Sequence, residues 1–260
     1  MTRSEPQSEL TPRQRDIVHI VRDQGFATLE ALAEKFDVST QTVRRDIIDL
    51  SKQGILQRFH GGAGLPNNMV RLGHEQKNRL AAEGKQLIGE KTAKLIPNGS
   101  AIFLDVGTTA EAVARALGNH RNLRIVTNSL LSATIVSAQS HSEIHVIGGT
   151  VHGNDGSLVG PDTDKAVRRF ALDFAIIGCS GFDEHAAPLD HDMQKVAVKT
   201  AATRTAKKNI LIADHTKLTR KAFLRINEAS AFHLLVTDQA PNEAFRRSWT
   251  QAGGDILVPQ

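Results

Sequence analysis

Cysteine, aromatic residues and long apolar runs are all scarce in this chain of 260 residues. The single cysteine, Cys179, excludes an internal disulfide and any zinc site with several cysteine ligands. No apolar run approaches the roughly 18 residues of a membrane helix, and the polar residues 1–10 lack the apolar segment of a signal peptide. We therefore expect a cytoplasmic protein with no membrane association, no metal and no cofactor.

Aromatic residues make up 4% of the chain, and tyrosine is absent. Proteins that bind single-stranded RNA commonly stack bases on aromatic side chains, so this composition disfavours RNA binding. The net charge of +4 favours an anionic partner. Residues 1–66 contribute nothing to it, because they contain nine Lys or Arg and nine Asp or Glu. Any nucleic-acid binding by this part must depend on how its charges are arranged.

The N-terminal residues have the pattern of three short helices followed by a hairpin. Apolar residues recur at helical spacing over residues 11–24, 28–36 and 40–54, and a three-residue turn separates the last two segments. A short strand is expected over residues 55–60, with Gly61-Gly62 as its turn. This order of elements predicts a winged helix-turn-helix, which we place at residues 10–66.

The third helix has the distribution of side chains that a DNA-recognition helix needs. Val43, Ile47 and Leu50 define its buried side, and Gln41 and Arg45 fall on the opposite side. Recognition helices place such side chains on base edges in the major groove, where Arg bonds guanine and Gln bonds adenine. The candidate DNA contacts are Thr40, Gln41, Thr42, Arg44, Arg45 and Lys52, with Arg58 and His60 in the hairpin. A helical bundle with a merely solvated charged face remains the alternative.

Beyond residue 66 the pattern changes to alternating strands and helices. Pro66 and the following asparagines indicate a linker, placed at residues 67–74, and a long helix is expected over residues 75–95. Strands are expected over residues 101–106, 123–127, 143–147, 172–178, 209–214 and 233–238, and helices over 109–117, 130–138, 193–206 and 242–251. Such alternation predicts a mostly parallel sheet covered by helices, in an α/β domain at residues 75–260.

Small or polar residues follow three successive strands of the predicted sheet. Asp105-Val106-Gly107-Thr108-Thr109 follows the first strand, Asn128 the second and Gly148-Gly149 the third. Open parallel sheets bind ligands at these carboxyl ends, where a helix N-terminus offers free amides to a phosphate. The candidate ligand contacts are Asp105, Gly107, Thr108, Thr109, Asn128, Gly148 and Gly149, with charged contacts from Asp183, Asp190, Lys199 and Lys217. An ordinary helix cap would also account for Gly-Thr-Thr.

Long stretches of the chain resemble the DeoR-type bacterial repressors. The likeness is carried by Val38-Ser39-Thr40-Gln41-Thr42-Val43-Arg44-Arg45-Asp46-Ile47 and by residues 58–63, 96–100, 104–114, 123–128, 172–174, 180–181 and 214–217. It covers about residues 10–258. The resemblance implies a C-terminal sensor domain related in fold to ribose-5-phosphate isomerase, and it adds Gly181 to the candidate ligand contacts.

The resemblance also implies how such a protein works. It implies a homo-oligomer, commonly a tetramer, that leaves double-stranded operator DNA when a phosphorylated sugar or polyol binds the sensor domain. The family members most like this chain control glycerol catabolism, which makes glycerol 3-phosphate the expected effector.

Two functions compete at this point: a ligand-controlled repressor, and an active phosphosugar isomerase with an appended helical domain. An isomerase needs a carboxylate base of tuned pKa in its pocket. Asp183 and Asp190 are the nearby candidates, and Lys195 lies where a second acid would help. The sequence therefore favours the repressor. His152 and His215 have no metal-ligand spacing and are expected to be structural.

Overall fold

The computed structural model describes residues 10–24, 26–59, 61–64, 77, 80–139, 141–153 and 155–259. The chain divides into two compact units, residues 1–72 and 73–260. His60 and the predicted linker at residues 67–74 lie outside the described residues.

The smaller unit is a winged helix-turn-helix, as predicted. Its helices are α1 (Pro12–Gln24), α2 (Leu29–Phe36) and α3 (Thr40–Lys52), and its strands are β1 (Phe26–Thr28), β2 (Gln57–Phe59) and β3 (Gly62–Gly64). The strands form an antiparallel sheet in the order β1-β3-β2. Strand β1 was not predicted. Gly61 lies in the turn with a φ of 83°, whereas Gly62, expected in that turn, begins β3.

Helix caps and apolar packing fix α2 and α3. The Ser39 hydroxyl accepts a hydrogen bond of 3.2 Å from the Thr42 amide, and the Thr28 hydroxyl caps α2 in the same way. Val43, Ile47 and Leu50 are buried together in the core of this unit, as the helical spacing predicted. The opposite face of α3 is therefore turned to solvent.

The larger unit is built on a seven-stranded parallel sheet between two layers of helices. The sheet strands are β4 (Ala101–Leu104), β5 (Arg121–Thr127), β6 (His141–Val146), β9 (Leu172–Gly178), β12 (Ala206–Ile212), β14 (Leu234–Val236) and β15 (Asp255–Leu257). The helices are α4 (Ala82–Lys94), α5 (Thr108–Ala116), α6 (Leu130–Ser137), α7 (Pro161–Val167), α8 (Met193–Thr205) and α9 (Glu243–Gln251). The strand order is β15-β14-β12-β9-β4-β5-β6, and every pairing in this sheet is parallel.

Side chains alternate between the two faces of this sheet. Ile102 and Leu104 of β4 pack into one core with α4, α5 and α6, whereas Phe103 packs into the other with α7, α8 and α9. Gly89 lets α4 approach α5 closely, because a Cβ there would lie 2.6 Å from the backbone of Ala112. The α/β sandwich is thus the one expected from alternating strands and helices.

The order of the strands creates a crevice beside β4. From β4 the chain runs outward through β5 to the edge strand β6, then returns to form β9 on the other side of β4. The helices that follow β4 and β9 therefore lie on opposite faces of the sheet. Such a switch point opens a crevice at the carboxyl ends of the two strands, where open α/β sheets bind ligands.

Several elements of the larger unit differ from the prediction. Helix α4 begins at Ala82 because Ala81 adopts a left-handed φ of 52°. Strand β15, helix α7, the hairpin of β7 (Thr150–His152) with β8 (Ser157–Val159), and the small sheet of β10 (Gly181–Phe182), β11 (Pro188–Asp190) and β13 (Leu224–Arg225) were not predicted. Within the described part of the chain, none of the helices has both the length and the apolar character needed to cross a bilayer.

Candidate functional site

The exposed face of α3 carries the predicted DNA contacts. Thr40, Gln41, Arg44, Arg45 and Lys52 are exposed. The side chains of Arg44, Arg45 and Lys52 form no ion pair with any residue that the structure describes. Their charges are therefore available to phosphates and base edges.

Of the three other predicted contacts of this unit, His60 lies outside the described residues, and the remaining two differ in their role. Arg58, in the hairpin, is exposed and has no ion-pair partner among the described residues. Thr42 is half-buried, and its hydroxyl lies 2.9 Å from that of Ser39, so this side chain belongs to the helix cap.

An ion pair that the sequence analysis missed fixes α3 against α1. The Arg13 Nε donates to Asp46 Oδ2 at 2.6 Å, and Gln14 contacts the other carboxylate oxygen at 3.5 Å. Asp46 is buried on α3, and its partners lie 33 and 32 residues earlier in the chain. The link holds the recognition helix at a set position on the helix that supports it.

In the larger unit, Lys199 joins the two strands of the crevice. Its ammonium contacts Asp105 Oδ2 at 2.5 Å, the Gly178 carbonyl at 2.7 Å and Asp190 Oδ2 at 3.3 Å. Burial acts to lower the pKa of Lys199, but the charges of Asp105 and Asp190 outweigh it and raise that pKa overall. Because its donors are already engaged, Lys199 holds Asp105 and Asp190 in place at the crevice and does not offer a free cation to a ligand.

Asp105, which directly follows β4, is the centre of this arrangement. Its Oδ2 accepts from the Gly178 amide at 2.9 Å and from Lys199, whereas its Oδ1 is buried without a hydrogen-bond partner among the described residues. The carboxylate is 1% exposed. A buried acceptor without a donor is costly, so Oδ1 is suited to accept a hydrogen bond from a ligand hydroxyl.

The amino end of α5 lies directly after Asp105. Gly107 caps the helix with a φ of 110°, a conformation that disfavours other residues. Thr108 and Thr109 begin the helix and are mostly buried, and their hydroxyls bond to no described residue. The first-turn amides, the helix dipole and two hydroxyls therefore converge where an anion would be stabilised.

A second group of residues suited to an anion follows β12. Asp214 accepts bonds from the amide and hydroxyl of Thr216, which shapes the turn that carries Lys217. Lys217 is 8% exposed, and no carboxylate of the described residues lies within ion-pair distance of its ammonium. Burial lowers the pKa of Lys217 to about 8. A cation held in this way is stabilised by an incoming anion.

Further charged groups surround the same edge of the sheet. Lys195 of α8 pairs with Asp155, at the tip of the β7–β8 hairpin. Burial acts to raise the pKa of Asp155, but Lys195 lowers it to about 2. Burial lowers the pKa of Lys77 to about 8, and the charges of Lys217, Asp190, Lys195 and Asp155 also act on that pKa. We call the set formed by Lys77, Asp105, Asp155, Asp190, Lys195, Lys199, Asp214 and Lys217 the charged crevice.

Five sequence-predicted contacts have mainly structural environments. Gly149 and Gly181 allow close packing, since a Cβ would lie 2.4 Å from Thr163 Oγ1 in the first case and 2.3 Å from the Arg220 carbonyl in the second. The Gly148 carbonyl accepts from the Thr163 hydroxyl at 2.8 Å. The Asn128 amide group donates to Leu158 O, which ties β8 to the end of β5, although its own Oδ1 is buried without a partner in the described structure.

Asp183 is the fifth of these residues. It accepts from two turn amides, those of His185 and Ala187, and from Arg225 at 2.6 Å. All three partners lie in or beside the small sheet formed by β10, β11 and β13. These contacts give Asp183 a role in that sheet.

Cys179, His152 and His215 have structural environments. Burial raises the pKa of Cys179 to about 12, so its thiol is protonated at neutral pH. His152 contacts Asp192 at 2.7 Å and His215 contacts Asp238 at 2.6 Å. Among the described residues, no group of three or more His, Cys, Asp and Glu side chains is arranged to hold a metal ion.

Comparison with protein families decides the relationship. A model of the DeoR C terminal sensor domain matches residues 80–239, and one of the DeoR-like helix-turn-helix domain matches residues 13–69. This chain belongs to the DeoR family. As a DeoR-family protein it is a DNA-binding transcriptional regulator whose sensor domain binds a small molecule.

Similar DeoR-family proteins are themselves repressors. The chain is 39% identical to the glycerol-3-phosphate regulon repressor of Escherichia coli over 89% of this chain and 92% of the relative. It is 36% identical to the transcriptional repressor CsqR of the same organism, over 97% of this chain and 98% of the relative. A ribose 5-phosphate isomerase A from Methanocaldococcus jannaschii is 15% identical over 54% of this chain and 56% of that chain, with a TM-score of 0.41.

The DeoR-family chain has groups in its charged crevice that sequence reasoning did not identify as contacts. Lys77, Asp155 and Asp214 were not singled out, and Lys195 was considered only as a residue in the place of a catalytic acid. Their partners are distant in sequence: 40 residues separate Lys195 from Asp155. A single sequence offers no periodic signal for such pairs.

Proposed function

We propose that this protein is a repressor that binds double-stranded operator DNA and leaves it when a phosphorylated sugar or polyol occupies the charged crevice. The best candidate for the effector is glycerol 3-phosphate. Lys217, a buried ammonium with no carboxylate at ion-pair distance in the described structure, carries the proposal. At the same edge of the sheet, after β4, the α5 amides and the Thr108 and Thr109 hydroxyls suit the phosphate of such a molecule.

The hydroxyl groups of a polyol have their own complement in the crevice. Asp105 Oδ1 and Asn128 Oδ1, at the ends of neighbouring strands, are buried acceptors without donors in the part of the chain that the structure describes. A ligand with hydroxyls next to a phosphate would satisfy both kinds of group. Glycerol 3-phosphate is such a ligand, and the regulon named for two of the relatives supports it as the first choice.

The isomerase alternative is disfavoured by the state of its candidate bases. Burial acts to raise the pKa of Asp190, but Lys199 and the His191 amide lower it overall. Asp183 is bound by Arg225. A general base works best with a pKa near the operating pH, and the lowered pKa of Asp190 does not suit that role. We expect pentose and triose phosphates to stay unchanged after incubation with the pure protein, whereas protein-dependent turnover would contradict the repressor proposal.

The proposal includes assembly into a homo-oligomer, in the first instance a tetramer. One recognition helix reads only a few base pairs, and two-fold dimers read half-sites about 10 base pairs apart. Light scattering at micromolar concentration, with and without DNA, should show at least a dimer. A monomer under both conditions would contradict this part of the proposal.

A DNA-release titration tests the proposed function. Fluorescence anisotropy would follow the full chain on a duplex from upstream of its own and neighbouring genes, with a scrambled duplex as control. Glycerol 3-phosphate should release the specific duplex, whereas glycerol alone and inorganic phosphate alone should act much more weakly. Failure to prefer the upstream duplex, or to release it with any of a panel of phosphate monoesters, would contradict the proposal.

A further inference from the structure

Lys77 stands out because of its place in the chain. It lies at the start of the sensor unit, which begins at residue 73, and so just after the segment that leads from the DNA-binding unit. Its side chain is half-buried, and the charges of Lys217 and Asp190 nevertheless act on its pKa. A residue near the start of the sensor unit is thus close enough to the candidate effector site to feel its charges.

Hydrogen bonds tie the backbone around Lys77 to the same site. The buried ammonium of Lys85, in the first turn of α4, donates to the carbonyls of Lys77 and Leu80. The same ammonium lies 4.0 Å from Asp214 Oδ2. Asp214 in turn shapes the turn that carries Lys217. The start of the sensor unit and the Lys217 turn are therefore held by one network of buried contacts.

The charges of this network leave room for an anion. Lys195 and Lys199 are compensated by carboxylates at ion-pair distance, whereas Lys77 and Lys217 have none among the described residues. Burial, and then repulsion from Lys217, lowers the pKa of Lys77 to about 8. An anion between these two ammonium groups would relieve their repulsion and stabilise both charges.

We infer that Lys77 binds the anionic group of the effector together with Lys217, and that this contact couples the effector site to the segment leading to the DNA-binding unit. The inference rests on the proposed function. A ligand shifts a conformational equilibrium only through its differential affinity for the two states. A contact from Lys77, at the start of the sensor unit, can differ between the DNA-bound and released states, whereas Lys217 lies in the turn directly after β12 and should contribute nearly equally to both.

Two lysine variants of the full chain separate coupling from binding. Affinity for glycerol 3-phosphate would be measured by calorimetry with and without specific duplex, and the ratio of the two affinities measures coupling. For the parent, allosteric systems suggest a ratio of about 5- to 150-fold. Lys217→Gln should weaken binding in both states and keep the ratio. Lys77→Gln should bring the ratio close to one, so that DNA stays bound at saturating effector.

The controls test charge and folding. Lys77→Arg keeps the cation and should retain most of the coupling, and Lys208→Gln, an exposed lysine of β12, should behave like the parent. Parent-like coupling in Lys77→Gln would overturn the inference while leaving the proposed function intact. If the parent itself fails to bind or respond to any phosphate monoester, the proposed function fails and the inference with it.

A measurement on the unmodified protein guards against a variant that does not fold. Reductive methylation followed by mass spectrometry reports how reactive each lysine is. Saturating glycerol 3-phosphate should protect Lys77 and Lys217 and leave Lys208 unchanged. Protection of Lys217 without any protection of Lys77 would overturn the inference.

Discussion

The two units of this protein differ in how far their charged side chains are buried and paired. On the face of α3 the arginines are exposed and unpaired within the described structure, so they can meet the phosphates of DNA in solvent. In the charged crevice, lysines and aspartates are buried and mostly paired. The Lys199 ammonium, for example, contacts two carboxylates. Gain or loss of a charge should change the stability of the DNA-binding unit little, whereas the same change in the crevice should destabilise the sensor unit.

The contrast has a physical reason. Exposed charges are solvated, and pairs between them contribute little to stability. Buried charges have lost their water and depend on one another, so removal of one partner leaves the other uncompensated. Folding of the DNA-binding unit should therefore tolerate change at single residues of this face, while effector recognition is coupled to the folding of the sensor unit.

The largest effect is expected when the crevice loses its central cation. Lys199→Met leaves Asp105 and Asp190 buried without their partner and should destabilise the sensor unit by about 3–5 kcal/mol in urea unfolding. Lys207→Met is the matched control, because Lys207 also pairs with an aspartate at 2.9 Å but is 80% exposed. It should cost less than about 1 kcal/mol. Equal losses in the two variants would remove the contrast between the units.

A smaller effect is expected from the helix that begins at Thr108. Thr108→Val keeps the shape of the side chain and deletes a donor to the phosphate, which is worth about 1.5–3 kcal/mol for a bond to a charged group. Binding of operator DNA should match the parent, while effector affinity falls about ten- to hundredfold. Thr250→Val, an exposed threonine of α9, should change neither. Normal effector responses in both Thr108→Val and Thr109→Val would show that the phosphate binds elsewhere.

On the DNA-binding face, single substitutions should lower the affinity for DNA and leave the stability of the protein unchanged. Arg45→Ala should weaken specific binding by about 1–3 kcal/mol if this side chain bonds a base, while Arg44→Ala should weaken binding to all sequences alike. Neither change should alter the unfolding midpoint, and Arg246→Ala on the sensor unit serves as the control. Binding curves on specific and scrambled duplexes decide the matter. The docking of α3 would be wrong if both variants bind like the parent.

The smallest effect is a dependence of effector binding on pH. The pKa of Lys217 is lowered to about 8, so near pH 8 about half of the effector-free molecules carry a neutral amine there. A bound dianion favours the charged form, so binding at pH 8 should take up protons, and affinity should fall as pH rises further. Calorimetry in buffers of different ionisation enthalpy measures this uptake. Uptake should be much smaller at pH 7, where the amine is already charged.

The same lowered pKa also makes the stability of the folded protein depend on pH. Between about pH 8 and the ordinary lysine pKa of 10.5, the unfolded chain holds more protons than the folded one at Lys217. The contribution of this residue to stability therefore increases with pH in that window. Proton uptake of zero at pH 8, together with flat affinity up to pH 9, would contradict the buried, unpaired state of Lys217.

The sequence predicted the elements whose signal is local. Helical spacing correctly placed Val43, Ile47 and Leu50 in the core, and alternation of strands and helices gave the parallel sheet with β9 at its observed bounds. The start of α5 after β4 was visible because its cap residues are contiguous, and the phosphate site placed there stays a prediction. Each of these features depends on neighbours within about one turn or one strand.

The features that escaped prediction depend on distant partners. Lys199 meets Asp105 across 94 residues, and Asp46 meets Arg13 across 33. Gly181 was predicted as a ligand contact, and its packing role was not foreseen, because only the folded chain reveals that a Cβ there would meet the Arg220 backbone. Short strands such as β10 and β13, with two residues each, carry too little periodicity to be detected.

A crystal structure of the full chain with glycerol 3-phosphate tests the central claim most directly. The account predicts the phosphate at the first-turn amides of α5, within hydrogen-bond distance of Thr108 or Thr109 and close to the Lys217 ammonium. It predicts a ligand hydroxyl at Asp105 Oδ1. A phosphate bound away from the carboxyl ends of β4, β9 and β12, with Lys217 still unpaired, would contradict it.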